Sequence, residues 1–339
     1  MARKQTLVGA ATALALAGLI AFPTAAHAAE VELYTWVYNP VGSDAAGFAT
    51  ISPTDAALTF LGTDSIDDAS NVVGEEVCDG VGYAIDEDGL DDAESVLTWD
   101  IETGAVLTGP TALAIAGGTI ENVVEADTLA DCTLLTIVQV YLDLETSWHI
   151  ASVDRATGLV TPLVEIDYSD GLVELTGLAT DSAGVTYLFA DFTTNDAVVA
   201  VADLSAGTHT PFQLMDGVRD LYGDNFTHGI DFDAVDVLWA FVGVYEDEQY
   251  HLASFAAGSD LTTGLPTDHG LVVDGGDGDY FRVSYPAPLA AVGGEAPAPA
   301  PAPQLAATGT ELPAGVVLAA GILLLAGAAL VLTRRRSAQ

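Results

Sequence analysis

Short runs of alternating apolar and polar residues, separated by glycine-containing turns, fill most of the chain. One turn, Trp99-Asp100-Ile101-Glu102-Thr103-Gly104, recurs at residues 153–158, at 202–207 and, less completely, at 255–258. The turn glycines are 54, 49 and 51 residues apart. Because each turn joins two apolar runs of strand length, the pattern predicts β-hairpins at a regular interval.

A second element repeats in the same register. Residues 177–189 (GLATDSAGVTYLF) align without gaps with residues 229–241 (GIDFDAVDVLWAF), and residues 78–85 form a shorter copy. Each unit of about fifty residues therefore contains four predicted strands. They are a Gly-to-Asp run, an aromatic run, a run that ends in Asp, and a run that follows the Thr-Gly turn.

Four strands per unit of this length are typical of a β-propeller blade. The chain resembles the degenerate propeller repeats of many secreted bacterial proteins, and this resemblance implies an all-β ectodomain. We predict a five-bladed β-propeller. Six blades are the alternative if residues 279–285 form a strand of their own. Two β-sandwiches in tandem are a further alternative, because short alternating strands also suit that fold.

The first unit lacks its Gly-to-Asp strand. Its strands are predicted near residues 33–38, 46–51 and 57–62, whereas the far end of the repeats has a spare run at residues 270–274. We expect this C-terminal run to supply the innermost strand of the first blade and so to close the ring.

The N-terminus has the order of an export signal. Arg3 and Lys4 precede an apolar stretch at residues 7–22, Pro23 follows it, and Ala26-His27-Ala28 supplies small residues for a signal peptidase. We expect residues 1–28 to form a signal helix that is removed, so that the mature chain begins at Ala29.

The C-terminus resembles the cell-wall sorting signals of Gram-positive bacteria. Leu305-Ala306-Ala307-Thr308-Gly309 is followed by an uncharged apolar run at residues 314–333 and then by Arg334-Arg335-Arg336. Twenty apolar residues suffice for a transmembrane helix, and the arginines fit its cytoplasmic end. The LAxTG form resembles the substrates of class E sortases of actinobacteria.

This resemblance implies where the protein works. Sortase would cut between Thr308 and Gly309 and join Thr308 to peptidoglycan, and the membrane helix would hold the precursor until then. The expected localisation is therefore exported and anchored to the cell wall. Residues 305–339 form the sorting signal, and residues 287–304, which are nearly all Ala and Pro, read as an extended spacer. The ectodomain then comprises residues 29–286.

Processing makes the charge more extreme. The whole chain has a formal charge of −41, and removal of both terminal signals leaves three arginines, no lysine and 48 acidic residues, which is −45. Such a surface repels phosphate backbones and excludes nucleic acid as a partner. The acidity itself is open to two interpretations, metal binding or plain solvation.

Two cysteines follow the repeat. Cys78 and Cys132 are 54 residues apart, the same separation as Gly104 and Gly158. In an exported protein we expect a disulfide between them. Equivalent turns of adjacent blades approach closely enough for this bond only near the axis, so two free thiols remain an alternative.

Acidic residues end several predicted inner strands. Asp181, Asp233 and Asp274 would converge on one mouth of the central channel, where oxygen-only ligands suit Ca²⁺. The competing interpretation is local, because an Asp at the start of a turn accepts backbone hydrogen bonds without any metal.

No catalytic motif accompanies these acids. The histidines lack zinc-type spacing, and the sequence has neither a G-x-S-x-G turn nor a phosphate loop. His228 with Asp231 is the one acid/base pair considered, and a histidine beside a strand start is more often a plain edge residue. We therefore expect no enzyme but a surface module that binds a ligand or coats the cell. The alternative is a calcium-dependent propeller hydrolase or lactonase, and the ligand itself is not specified by the sequence.

Overall fold

The computed structural model describes residues 31–37, 47–61, 72–86, 94–142, 144–168, 172–192, 194, 196–223, 225–244, 249–274 and 289–292. Within these residues the chain forms 23 β-strands and one short α-helix. Both terminal signals lie outside the described residues. In the described part, no helix has the length and apolar character needed to cross a membrane.

The strands form five sheets, each of which is one blade of a propeller. Blade one begins with β1 (Glu32–Val37), β2 (Gly47–Ile51) and β3 (Ala57–Phe60). Blade two contains β4 (Val72–Cys78), β5 (Val81–Asp86), β6 (Ser95–Asp100) and β7 (Val106–Ala112). The next strand, β8 (Ala114–Ile115), leads into blade three, which contains β9 (Gly118–Thr128), β10 (Leu134–Leu142), β11 (Glu145–Asp154) and β12 (Leu159–Ile166).

Blade four contains β13 (Leu172–Thr180), β14 (Thr186–Phe192), β15 (Ala197–Asp203), β16 (Thr208–His209) and β17 (Gln213–Leu214). The helix α1 (Asp216–Tyr222) connects it to blade five. Blade five contains β18 (Asn225–Phe232), β19 (Leu238–Val244), β20 (Gln249–Phe255) and β21 (Thr267–Leu271). The last two strands are β22 (Val273–Asp274) and β23 (Ala290–Val292).

The ring closes through the C-terminal end of the described chain, but not through the predicted strand. The innermost strand of blade one is β23, which pairs antiparallel with β1. The run at residues 270–274 instead forms the end of β21, in blade five, and the short strand β22. β22 pairs in parallel with β3, the outer strand of blade one. The expectation that this run closes the ring was therefore wrong, and β23 lies in the stretch for which the sequence predicted a spacer.

The parallel strands have a common explanation. β8 pairs parallel with the outer strand β12 of blade three before the chain enters β9, just as β22 pairs with β3 before the chain enters β23. In both places the chain leaves the outer edge of one blade and follows the outer edge of the next blade on its way to the axis. A short apolar run at such a crossing resembles an inner strand in sequence, which explains the misassignment.

The core lies between the blades. Five clusters of buried side chains occur, one at each contact between neighbouring blades, and the contact of blade five with blade one completes the circle. Consecutive residues face opposite neighbours: Leu33 packs toward blade five and Tyr34 toward blade two. Both faces of strands such as β1 are therefore buried, and five blades in a closed ring exclude six blades and the tandem sandwiches.

The repeated turns fold as the sequence pattern predicts. Gly104, Gly158, Gly207 and Gly258 all have positive φ, between 69° and 72°. This conformation favours glycine because it has no Cβ. Three of these turns begin with an Asp whose side chain accepts hydrogen bonds from the turn. Oδ1 of Asp100 accepts the backbone N–H groups of Glu102 and Thr103. Asp154 and Asp203 accept the equivalent N–H groups in their own turns.

Candidate metal centre

The inner strands β4, β9, β13, β18 and β23 lie side by side around the axis, and they form one mouth of the central channel. A pocket of about 380 Å³ opens there. Three carboxyl groups converge at it, Glu76 from β4, Asp127 from β9 and Asp231 from β18. Each offers an oxygen within 4.8 Å of the other two, and each residue is at most 5% exposed.

Each of these carboxyl groups is oriented by its own strand. One oxygen of Glu76 accepts the N–H of Val77 at 2.7 Å, and Asp127 and Asp231 accept the N–H of the residue after each of them at the same distance. Asp127 also accepts the hydroxyl of Thr180, and Asp231 accepts the N–H of Ala291 at 2.6 Å. The closing strand β23 therefore supplies a donor to the site.

Burial changes the acidity of all three groups. It raises the pKa of Glu76 well above the ordinary value, and the charges of Asp231 and Asp127 raise it further. Burial also raises the pKa of Asp231, and that of Asp127 to about 7, although hydrogen bonds from Thr180 and Thr128 act in the opposite direction. None of the described residues that line the mouth is Arg, Lys or His. A proton or a metal cation must therefore neutralise part of this charge.

Two more buried carboxyl groups belong to the same region. Both oxygens of Glu75 and Oε2 of Glu125 are buried and have no hydrogen-bond partner among the described residues. Burial raises the pKa of both groups, and the charges of Asp231, Asp127 and Glu75 also raise that of Glu125. Glu125 sits at a β-bulge with a positive φ of 56°. Unsatisfied buried carboxylate oxygens beside three converging carboxylates are groups that a bound cation or proton would satisfy.

Two of the three aspartates predicted as metal ligands do line this mouth, but the turns use them. Oδ1 of Asp181 accepts the N–H groups of Ala183 and Val185, at 3.0 and 2.9 Å. Oδ1 of Asp233 accepts those of Val235 and Val237, both at 3.0 Å, and its Oδ2 accepts the indole N–H of Trp239. Both aspartates therefore accept backbone hydrogen bonds from their own turns, as the interpretation without a metal expected.

Asp274, the third predicted ligand, is not at the mouth. It belongs to β22 and pairs with Leu58 on the outer strand of blade one. Its placement beside Asp181 and Asp233 was wrong because β23, and not the run at residues 270–274, provides the inner strand of that blade.

The disulfide borders the site. Cys78 ends β4 and Cys132 lies in the turn between β9 and β10, and the two residues form a disulfide with Cα atoms 5.8 Å apart. This bond joins the strands that carry Glu76 and Asp127. The disulfide lies near the axis, the one region where equivalent turns of adjacent blades approach closely enough for this bond.

His228 has a structural role. It is fully buried on β18, and burial lowers the pKa of its imidazole to about 3, so it is neutral. Its ring packs against Tyr250 with centroids 6.2 Å apart. Asp231 accepts backbone hydrogen bonds from Phe232 and Ala291.

The sequence does contain a signal for the converging carboxyl groups. Glu76 and Asp127 lie in strands beside runs of valine and alanine, where an acidic residue is costly to bury unless it has a partner. Asp231 precedes the turn residue Asp233 by two positions, at the site that Ala179 occupies in the other copy of the repeat. Acids next to apolar strand residues, and not only those in the turns, are therefore the signal that sequence reasoning missed.

A scan against protein-family models and a search of curated proteins both found no match. Solved structures are similar in fold. A candidate exo-β-1,3-galactanase from Bifidobacterium bifidum aligns with a TM-score of 0.44 and 15% identity, over 71% of this chain and 90% of that one. A candidate 6-phosphogluconolactonase from Bacteroides uniformis gives 0.40 and 13%, over 71% and 82%. The Dos1 propeller gives 0.34 and 10%, over 67% and 66%. All three TM-scores are below 0.5, and these similarities carry no conclusion about function.

Proposed function

We propose that this protein is a wall-anchored surface module whose propeller holds a divalent cation, Ca²⁺, at the mouth of its channel and acts by binding rather than by catalysis. The observation that carries the proposal is the convergence of Glu76, Asp127 and Asp231, which are buried and have no basic neighbour at the pocket.

Charge repulsion explains why three converging carboxyl groups need a neutralising partner. Two charged carboxylate oxygens at most 4.8 Å apart repel by at least roughly 3 kcal/mol at an effective dielectric constant near 20, and the mouth contains three such pairs. A folded chain avoids this cost by binding protons or by binding a cation. The geometry suits the cation, because two oxygens bound to one Ca²⁺ at about 2.3–2.6 Å lie at most about 5 Å apart.

The donor set selects a hard cation. All three groups are carboxylates, and oxygen ligands suit Ca²⁺ or Mg²⁺ rather than zinc or copper. The three ligands come from three blades, so a bound ion would join blades two, three and five across the channel. Ca²⁺ tolerates this irregular arrangement better than Mg²⁺, which requires a nearly ideal octahedron.

Thermal unfolding tests the cation site. The protein is melted in Ca²⁺, in chelator, and in NaCl of matched ionic strength. A ligand that binds only the folded state stabilises it by about 2.7 kcal/mol at a hundredfold excess over its dissociation constant. We expect a Ca²⁺-specific rise in melting temperature that Asp127→Asn and Asp231→Asn abolish.

Asp181→Asn is the matched control. It removes a charge at the same mouth but keeps the Oδ1 acceptor that the turn uses. It should retain the Ca²⁺ response. In chelator at pH 8, Asp127→Asn should be at least as stable as the unmodified chain, because it relieves repulsion. Equal responses to Ca²⁺ and NaCl would mean that the three carboxyl groups hold no specific cation.

The anchoring part of the proposal is supported by the order of LAATG, apolar run and arginines at the C-terminus. Thr308→Ala should shift the protein from the wall fraction into the detergent-soluble membrane fraction, because sortase would no longer recognise the pentapeptide. A variant that stays covalently linked to peptidoglycan would contradict this part alone.

A second candidate function is a calcium-dependent hydrolase or lactonase. The pocket above the three carboxylates favours it, because a bound ion there would face solvent and could polarise a substrate carbonyl. Against it, no Ser–His or Cys–His pair lines the described part of the mouth, and Ser182 is held by Asp236. Ca²⁺-dependent opening of δ-gluconolactone that Asp127→Asn abolishes would favour the enzyme, whereas inertness toward lactones would remove it.

A further inference from the structure

A groove separate from the channel mouth lies between blades three and four. It has a volume of about 890 Å³. Strands β10, β11 and β12 and the residues after β12 form one side, and Gly207 with β16 forms the other. This volume is within the range of ligand sites, about 300–1,000 Å³.

Two aromatic rings form a platform in the groove. The rings of Trp148 and Tyr168 lie 6.0 Å apart between centroids, with planes inclined by 25°. The chain has four tryptophans, and the other three are at most 6% exposed, whereas Trp148 is only partly buried. Tyr168 is 38% exposed. The platform therefore presents large apolar faces that the core does not fully cover.

Polar side chains surround the platform. Gln139 pairs with Trp148 across the ladder of β10 and β11, and Thr146 also lines the groove. Glu165 and Asp167 add carboxylates. Together these residues offer an amide, a hydroxyl and acidic oxygens, and so both donors and acceptors, beside two flat apolar surfaces.

The loop that carries Tyr168 is held in place by the neighbouring blade. The N–H of Asp167 donates to Nε2 of His209 at 3.1 Å. Nδ1 of the same ring lies 2.7 Å from the carbonyl oxygen of Thr210, to which it donates. This ring therefore ties blade four to the end of β12, and the groove is preformed.

We infer that this groove binds a neutral oligosaccharide. A sugar ring has an apolar C–H face that packs on an aromatic ring, and hydroxyl groups at its edge that both donate and accept hydrogen bonds. The uncovered face of this stacked pair would support one sugar ring. Glu165 and Asp167, together with the acidic surface of the chain, disfavour anionic glycans.

A cationic peptide is the competing ligand, and the geometry fits it less well. A cation carries donors only, so it would leave the donors of Gln139 and Thr146 unused. The two rings also lie nearly parallel and do not enclose a point between them, as a cation-binding cage does.

The inference rests on the proposed binding function, for which it supplies the ligand class. It requires neither the cation nor the wall anchor.

The test uses the full-length chain in a detergent without a sugar head group. An array of neutral oligosaccharides, anionic oligosaccharides and Lys/Arg-rich peptides is probed in Ca²⁺ and in chelator. We expect neutral oligosaccharides to bind in both conditions. We also expect the bound sugar to protect Trp148 from acrylamide quenching, which is measurable because the other three tryptophans are buried.

Variants locate the binding. Tyr168→Ala and Gln139→Ala should each weaken the best neutral ligand about tenfold, and Trp148→Phe should retain most of the affinity. Tyr83→Ala is the matched control, because Tyr83 lies outside the groove and stacks with Arg155 at 4.4 Å. Circular dichroism checks that each variant is folded.

Three results would overturn the inference: no neutral glycan bound, binding unaffected by both Tyr168→Ala and Gln139→Ala, or cationic peptides as the only ligands. Glycan binding that persists in chelator and in Asp127→Asn would separate this site from the cation site. Failure of the cation site would appear only in the melting experiments, so the two failures are distinguishable.

Discussion

At the residue scale, each of the three mouth carboxyl groups accepts a hydrogen bond from the backbone N–H that follows it in its own strand. Such bonds hold an acid in position and lower its pKa. Burial and mutual repulsion outweigh them, since the pKa of Asp127 is about 7 and those of Glu76 and Asp231 are also raised.

This balance predicts an unusual pH dependence. A carboxyl group whose pKa is higher in the folded state than in the unfolded chain stabilises the fold while protonated, and this stability is lost as the pH rises. For Asp127 the window runs from about 4, the ordinary Asp value, to about 7. In chelator, the melting temperature should therefore fall across this window, and the raised pKa values of Glu76 and Asp231 should add to the fall.

Calcium should remove most of that fall, because the ion replaces the protons. Melting curves from pH 4.5 to 8.5, with and without Ca²⁺, measure it, and a high-salt series controls for the general negative charge. Asp127→Asn in chelator should show a shallower slope. A slope that neither Ca²⁺ nor this substitution changes would contradict the assignment.

At the element scale, the site depends on strands that are distant in sequence. β4, β9 and β18 carry the ligands, and β23 both completes blade one and donates the N–H of Ala291 to Asp231. Leu289 and Ala290, at the start of this last segment, are fully buried. The integrity of the ring and the order of the site are thus linked.

Truncation tests this link. A chain that ends at Pro286 lacks β23, and one that ends at Gly294 retains it. The shorter chain should lose about 3 kcal/mol of unfolding free energy, from the buried apolar surface and the ladder hydrogen bonds. It should also bind Ca²⁺ more weakly. Equal denaturant midpoints and Ca²⁺ responses for the two chains would show that the ring does not need this strand.

The disulfide gives a second prediction at this scale. Cys78 and Cys132 close a loop across 54 positions, for which the chain-entropy estimate is about 4 kcal/mol. Replacing both by Ser should lower stability by up to that amount. Ca²⁺ affinity should also fall, because the bond fixes the strands that carry Glu76 and Asp127. Calorimetric titration of the double variant measures this, and an unchanged affinity would mean that the strands are held without the bond.

Most strands could be predicted from the sequence, but the closing strand could not. The Thr-Gly turns and the Gly-to-Asp repeats identified the strands, because turns and strand alternation depend on residues that are close together in the sequence. The closing strand was missed because Ala290–Val292 is three residues long and lies in an Ala-rich stretch without alternation. Its identity depends on pairing with β1, which is far away in the sequence.

At the scale of the whole molecule, five interblade cores close a ring in which the strand segments between blades are buried. An acidic residue in such a buried segment is costly, which is why the buried acids at the mouth are informative. The sequence correctly placed acids at one mouth through Asp181 and Asp233. It could not show that the turns use them, because only the fold reveals which oxygens are already hydrogen-bonded.

We propose that Glu76, Asp127 and Asp231 together hold one divalent cation. Anomalous diffraction from crystals grown in Ca²⁺ would locate such an ion. We expect one anomalous peak among these three carboxylates, with oxygen distances of about 2.3–2.6 Å, and no peak there in Asp127→Asn. Crystals at saturating Ca²⁺ with no peak at the mouth, or with peaks only at exposed acids, would contradict it.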